Sequence, residues 1–199
     1  MFRYIGDISD LSHDIILRYL KNFEIAVDAT LGNGHDTDFL SKNFKKVYSF
    51  EVQKAAVERY NPIASENVVL INESHENFKE HIEEKVDCIV YNLGFLPGGD
   101  KSITTTSDST LKSLKASIEM LNEGGLICMA IYTGHVEGKK EKSAILTYAE
   151  SLPKRYFGVM LHSFINRTES PMLLVIERKS IIIRNEENHN WKTCWKYFQ

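Results

Sequence analysis

Ile25-Ala26-Val27-Asp28-Ala29-Thr30-Leu31-Gly32-Asn33-Gly34-His35-Asp36-Thr37 is the stretch that decides the fold. Three apolar residues after a charged helix end predict a short buried strand. Two glycines then break it into a turn. Phe39, Leu40 and Phe44 recur on one face beyond Gly34 and predict a helix. Strand, glycine turn and helix make a loop whose backbone can approach a ligand, with the N–H groups of the helix start facing it. Gly-x-Gly-x-x-Thr lacks the third glycine of the dinucleotide fingerprint, and no Gly-Lys-Ser/Thr follows, which argues against a nucleoside-triphosphate loop. By itself the glycine pair is equally the mark of a tight connection.

Glu51 adds to it. Lys46 to Phe50 reads as the next strand, and Glu51 closes it nineteen residues after Gly32. An acid there is placed to accept hydrogen bonds from ribose hydroxyls. The pocket is therefore expected to hold an adenosine-type cofactor, and S-adenosylmethionine and NAD both fit at this point. Thr30, Asn33, His35, Asp36 and Thr37 belong to the same loop, and Val52 and Gln53 flank Glu51. Asp28 is either a ligand for an amino group or water, or simply a charge at a strand end.

Strands and helices alternate downstream. Strands are expected at 46–51, 67–71, 85–92 and 126–132, and helices from Gln53 to Ala64, Ser107 to Asn122 and Gly138 to Leu152. A further helix is expected to carry Phe78 and Ile82 inward. Leu111, Leu114, Ile118 and Leu121 mark the stripe of the 107–122 helix, with Gly124-Gly125 as its end. Upstream, Ser12 is the expected cap of a helix with Ile15, Ile16, Tyr19 and Leu20 inward, leaning over the cofactor pocket, with His13 exposed in its first turn. Late strands at 155–164 and 172–178, joined by a polar turn, suit an antiparallel hairpin. The pattern predicts an α/β fold: a mostly parallel sheet with helices on both faces and one antiparallel strand near an edge. Residues 1–179 read as one domain, with residues 10–24 as its N-terminal helix. Residues 180–199 read as an extension in which Trp191 and Trp195 are spaced for a short docking helix.

Bulk properties narrow the class. The chain has 199 residues, 43% hydrophobic and 26% charged, with net charge −3, so no global charge excess recruits a polyanion. Cys88, Cys128 and Cys194 are far apart, and no metal-binding spacing exists; no metal is expected. No signal pattern or spanning apolar run is seen, so a cytoplasmic protein with no membrane partner is expected.

Ligands bind such sheets beyond the carboxyl ends of the strands. Ser74 and His75 follow the third strand, where His75 is expected at the adenine or as a helix cap. After the fourth strand comes Asn92-Leu93-Gly94-Phe95-Leu96-Pro97-Gly98-Gly99-Asp100-Lys101. The Asn92 amide oxygen and the Leu93 carbonyl would accept hydrogen bonds from an amine, and the Phe95 ring would stack on a flat base. This is similar to the Asn-Pro-Pro-Tyr loop of amino-group methyltransferases, with Leu-Gly in place of the prolines. Tyr132-Thr133-Gly134-His135-Val136-Glu137-Gly138 borders the same cleft after the fifth strand. His135 there, or Asp100 in the 92–101 loop, is expected to help take a proton from the substrate. Lys101, Lys139, Lys140 and Lys142 are either a basic rim for RNA or a solvated helix start.

Asp28-Ala29-Thr30-x-Gly32-Asn33-Gly34-His35-Asp36-Thr37, the 92–101 loop and Tyr132-x-Gly134-His135-x-Glu137-Gly138 together resemble a bacterial methyltransferase family first labelled "putative rRNA methylase". Its characterised members are tRNA 5-aminomethyl-2-thiouridine methyltransferases. The resemblance spans about 10–178. It implies a class I, Rossmann-like methyltransferase fold with a seven-stranded sheet. It also implies S-adenosylmethionine as methyl donor, tRNA as partner and the aminomethyl nitrogen of a wobble uridine as acceptor. Homodimers occur in the family. Three other activities share some of these features: methylation of another RNA nucleoside, NAD-dependent oxidoreduction, and RNA binding without catalysis.

Overall fold

The structure is a computed structural model that describes residues 6–96, 98–99, 104–134 and 136–180. The strands are β1 (Ile25–Asp28), β2 (Lys46–Phe50), β3 (Val68–Ile71), β4 (Val86–Asn92), β5 (Leu121–Ile131), β6 (Phe157–His162) and β7 (Met172–Arg178). They form one sheet in the order β3-β2-β1-β4-β5-β7-β6. β1 to β5 are parallel, and β7 runs antiparallel to both β5 and β6. The antiparallel strand β7 therefore lies near an edge, as expected, with β6 outermost on that side among the described residues.

Side chains alternate across the sheet, as the two-residue period requires. Ile89, Tyr91, Ile127, Met129 and Ile131 face one core, and Cys88, Val90, Leu126, Cys128 and Ala130 face the other. The first core is closed by α5 (Ser107–Met120) and α6 (Val136–Glu150), with the short α4 (Phe78–His81) contributing Phe78. The second is closed by α1 (Ile8–Tyr19) through Ile8 and Ile16 and by α2 (His35–Asn43) through Leu40. α3 (Lys54–Tyr60) follows β2 and runs into a 3-10 turn over Asn61–Ile63.

Two local expectations change. α1 begins at Ile8 and is capped by Asp7, whose carboxylate accepts the Ser9 N–H at 2.7 Å; Ser12 is buried inside the helix. Gly124 and Gly125 lie within β5, which starts directly at Leu121 after α5. The ladder shifts register between Val86 and Cys88, and the buried Asp87 at the shift holds the entry to β1: it accepts from the backbone N–H groups of Glu24 (3.0 Å) and Ile25 (3.2 Å) and from the Asn122 amide (2.7 Å). The buried stripe of α5 also includes Ser113 and Ser117, whose hydroxyls meet the fully buried Tyr91 phenol at 2.6 and 2.7 Å. A phenol in a dry core needs such partners. Residues Trp191 and Trp195 lie outside the described residues.

Candidate active site

One cavity of about 600 Å³ opens at the carboxyl ends of β1, β2, β3, β4 and β5, within the usual range of small-ligand sites. The sequence fixes its floor at the glycine turn. The Leu31 N–H donates to the Phe50 carbonyl at 2.9 Å and the Gly34 N–H to the Leu31 carbonyl at 2.7 Å, which ties the turn between β1 and β2. Gly34 caps α2 with φ +86°. Glu51 braces the turn: one carboxylate oxygen accepts the Gly32 N–H (3.0 Å), the other the Gln53 N–H (2.8 Å).

Thr30, Gly32, Asn33, His35, Asp36, Glu51, Val52, Gln53, Ser74 and His75 all line the cavity. Asp28, Gly34 and Thr37 do not; they support the turn from behind. Asp28 is fully buried and accepts the Thr30 N–H (2.9 Å) and the Thr37 hydroxyl (2.6 Å). Burial, with the Asp36 charge nearby, raises its carboxyl to about 7. Of the two uses foreseen for Asp28, a ligand or a charge at a strand end, the structure gives a third: a buried brace.

His75 sits almost fully buried at the β3 side, edge-on to Tyr91 at 5.7 Å between ring centroids. Burial depresses it to about 4, so the ring is neutral at ordinary pH, and its Nδ1 has no partner among the described residues. Such a buried atom calls for a partner that the protein does not supply among the described residues.

Across the cavity, the Asn92 backbone N–H donates to the Thr30 hydroxyl at 2.7 Å, which locks the end of β4 to the glycine turn. Asn92, Leu93, Gly94, Phe95 and Leu96 line the wall with Tyr132 and Gly134. No protein hydrogen bond engages the Asn92 side-chain amide among the described residues. The loop is pinched at its neck: the Gly94 N–H donates to the Thr105 hydroxyl at 3.0 Å, and Phe95 bridges Thr104. Phe95 and Tyr132 are 44% and 37% exposed, so two aromatic faces stand at the mouth. Burial, with the Asp7 and Asp36 carboxylates nearby, raises the Tyr132 phenol.

The remaining expectations divide. Gly98, Gly99, Glu137 and Lys139 do not line the cavity. Glu137 accepts the Ser107 N–H at 3.2 Å and pairs with Lys140, while Lys139 pairs with Glu169. Pro97, Asp100, Lys101 and His135 lie outside the described residues. Two features were not foreseen. Glu169, in the β6–β7 turn, reaches the cavity wall. His13 is not an exposed helix-start residue: its Nε2 donates to the Asp36 carboxylate at 2.7 Å, and its ring stacks on Phe39 at 3.8 Å. No spacing in the sequence signals a pair 23 residues apart on two helices.

A family model described as "Putative rRNA methylase" matches residues 47–178. The chain belongs to that family. Among its relatives is the chloroplastic tRNA (mnm(5)s(2)U34)-methyltransferase of Arabidopsis thaliana, 31% identical over 86% of this chain and 69% of that protein. The crystal structure of the Clostridium thermocellum putative rRNA methylase is 33% identical with TM-score 0.81, covering 87% of this chain and 98% of that one. A putative methyltransferase of Streptococcus mutans in complex with SAH (S-adenosylhomocysteine) is 36% identical with TM-score 0.79, covering 87% and 99%. The rRNA methylase family thus brings with it the expected Rossmann-like class I methyltransferase fold. Among the described residues there is no acid–His–Cys cluster fit for a metal, and no helix is long and apolar enough to cross a membrane.

Proposed function

We propose that this chain is an S-adenosylmethionine-dependent N-methyltransferase that converts 5-aminomethyl-2-thiouridine at the tRNA wobble position to its methylaminomethyl form. The observation that carries the proposal is the unengaged Asn92 amide at the end of β4, across one cavity from the Glu51-braced glycine turn. The Arabidopsis relative's named activity and the SAH-bound Streptococcus relative support it.

The pocket residues suit the donor. Glu51, on the β2 side, is set for ribose hydroxyls, and the unpaired Nδ1 of neutral His75 for the adenine amine. The donor, when bound, supplies a methyl group already activated on a sulfonium. The chain's own residues then do positioning. An alkyl amine is mostly protonated at neutral pH, and only the neutral form has a lone pair to give. Asn92 and the Leu93 carbonyl, as uncharged acceptors, orient the neutral amine's N–H groups so that its lone pair points into the cavity. Phe95 and Tyr132 offer faces for the uracil ring and a neighbouring base. The absence of the third glycine at the turn and the Asn92 loop disfavour the nicotinamide alternative.

Nucleoside mass spectrometry tests the proposal. The protein and S-adenosylmethionine are incubated with tRNA from cells lacking this gene. Conversion of 5-aminomethyl-2-thiouridine to the methylaminomethyl nucleoside is the expected result. Methylation of a different nucleoside, or none, overturns the substrate assignment.

A cytoplasmic homodimer completes this proposal. Among the described residues no strand pairs the outer edge of β6, and with Val159 42% and Met160 64% exposed this edge supports a second copy there. Light scattering at micromolar concentration should give twice the 22.9 kDa chain mass; the single mass overturns it.

A further inference from the structure

We propose that His13 is a positioning residue for the methyl donor, acting through Asp36, and that α1 is thereby part of the donor site. The proposal rests on the assignment of the cavity to S-adenosylmethionine.

Asp36 is the acid of the first turn of α2 that both lines the cavity and is nearly buried, at 5% exposure. A buried carboxylate with no partner is expensive, and one free to rotate does not hold a ligand in a single pose. Glu51, the other buried acid of the wall, has each oxygen committed to a backbone N–H. Among the described residues no backbone N–H donates to Asp36; one of its oxygens is held by His13 at 2.7 Å, and its second oxygen has no partner there. The His13 ring is itself fixed, nearly parallel to Phe39 at an angle of 5° and a distance of 3.8 Å. Phe39 lies one turn beyond Asp36 on the same helix, so the ring and the carboxylate are set by one element and the imidazole is wedged between them.

The position within the cavity identifies what Asp36 meets. Glu51, Ser74 and His75 occupy the β2–β3 side, where the adenosine belongs. Asp36 lies toward Tyr132, at the end of β5. The other end of the donor carries its two positive centres, a sulfonium and an ammonium. A carboxylate held from behind and open in front complements that cationic end. α1 carries His13 and is anchored independently by Ile8 and Ile16 against the sheet. The imidazole is thus a strut between a fixed helix and the ligand-facing acid.

Calorimetric titration of the full chain with S-adenosylmethionine alone, without RNA, tests the strut. His13→Phe keeps the stack on Phe39 and removes the N–H; His13→Gln keeps an N–H donor and removes the stack. The expected result is about tenfold weaker binding for His13→Phe, the loss typical of one hydrogen bond to a charged group. His13→Gln should stay within about threefold of the parent on the same scale. In an Asp36→Asn background the His13→Phe change should have no further effect, because the two residues act in series. Unchanged affinity in His13→Phe overturns the proposal, as does an equal loss in both variants or additive losses in the Asn background. Should His13→Phe not fold, His13→Leu takes its place in the same comparisons. Since no RNA is present, donor binding can follow this pattern even if the tRNA assignment fails, and the two failures are told apart.

Discussion

Asn92→Ala lowers methyl transfer by a factor of about 10²–10³ and leaves S-adenosylmethionine affinity within about threefold, on the scale of removing one polar group aimed at the reacting centre. The backbone at this position is secured without the side chain. Asn92 pairs with Ala130 in the β4–β5 ladder, and its N–H is held by the Thr30 hydroxyl at 2.7 Å. The amide has no structural work to lose among the described residues, so truncation leaves the strand end and the glycine turn in place. What disappears is an acceptor for the amine, and with it the orientation of the lone pair. Asn92→Asp separates polarity from charge. A carboxylate there stabilises the ammonium and raises the pKa of the bound amine, so the residual rate of that variant should rise toward higher pH than in the parent. Single-turnover rates across pH, with donor affinity measured separately, decide it. An Ala variant that keeps its rate within about fivefold of the parent, far short of the loss expected of such a group, removes Asn92 from the reaction.

Gly34→Ala is expected to be the most damaging single methyl group in the glycine turn. The residue has φ +86°, and a Cβ there would stand 2.2 Å from Cε2 of Tyr60. Tyr60 cannot swing away cheaply. It is 3% exposed, and its hydroxyl donates to Asp38 at 2.6 Å, on the helix that Gly34 caps. The left-handed backbone costs about 1–2 kcal/mol, and forcing the ring aside about 1–3 kcal/mol more. For a chain of this size that sum lowers the thermal midpoint by about 5–15 °C. Gly32→Ala is the control. It shares the positive φ, at +53°, but its Cβ would meet Leu96 Cδ1 at 3.4 Å and the Thr30 carbonyl oxygen at 3.6 Å, both ordinary contacts, so its loss should be confined to the backbone part. Thermal unfolding of both variants tests the difference, and equal midpoints would mean that Tyr60 gives way.

The parallel α/β alternation and the meeting of five loops at one sheet end were legible in the sequence, because both follow from local pattern: apolar runs, glycine turns and an acid at a strand end. The glycine turn and Glu51 were readable together since their nineteen-residue separation is close to the spacing of about 20 typical of such units. What local pattern cannot show is a partner set by tertiary packing. Ser113 and Ser117 look like solvent positions until Tyr91 is seen between them. Gly124 and Gly125 look like a helix stop; a Cβ on Gly125 would stand 2.9 Å from the Asp87 carbonyl, so the glycine serves the close approach of two strands. His13 and Asp36 have no spacing rule, because their meeting depends on how α1 crosses the sheet. Glu169 enters the cavity wall only because the hairpin folds back beside β5.

The placement of β7 between β5 and β6 also governs how the chain is made. Synthesis proceeds from the N-terminus, so β5 leaves the ribosome with one flank paired to β4 and the other bare. Its partner on that flank, Met172–Arg178, is the last of the seven described strands to be made. Until then Leu126 to Ile131, all buried in the finished molecule, present an open apolar edge. β6 arrives earlier but has no ladder of its own with β5 and must wait for β7 to lie between them. The nascent chain therefore passes through an interval with an adhesive strand exposed, and the hairpin docks as a late unit that ends it. A ribosome stalled after residue 165 should hold a chain that chaperones bind and proteases cut, and one stalled after the hairpin has emerged should not.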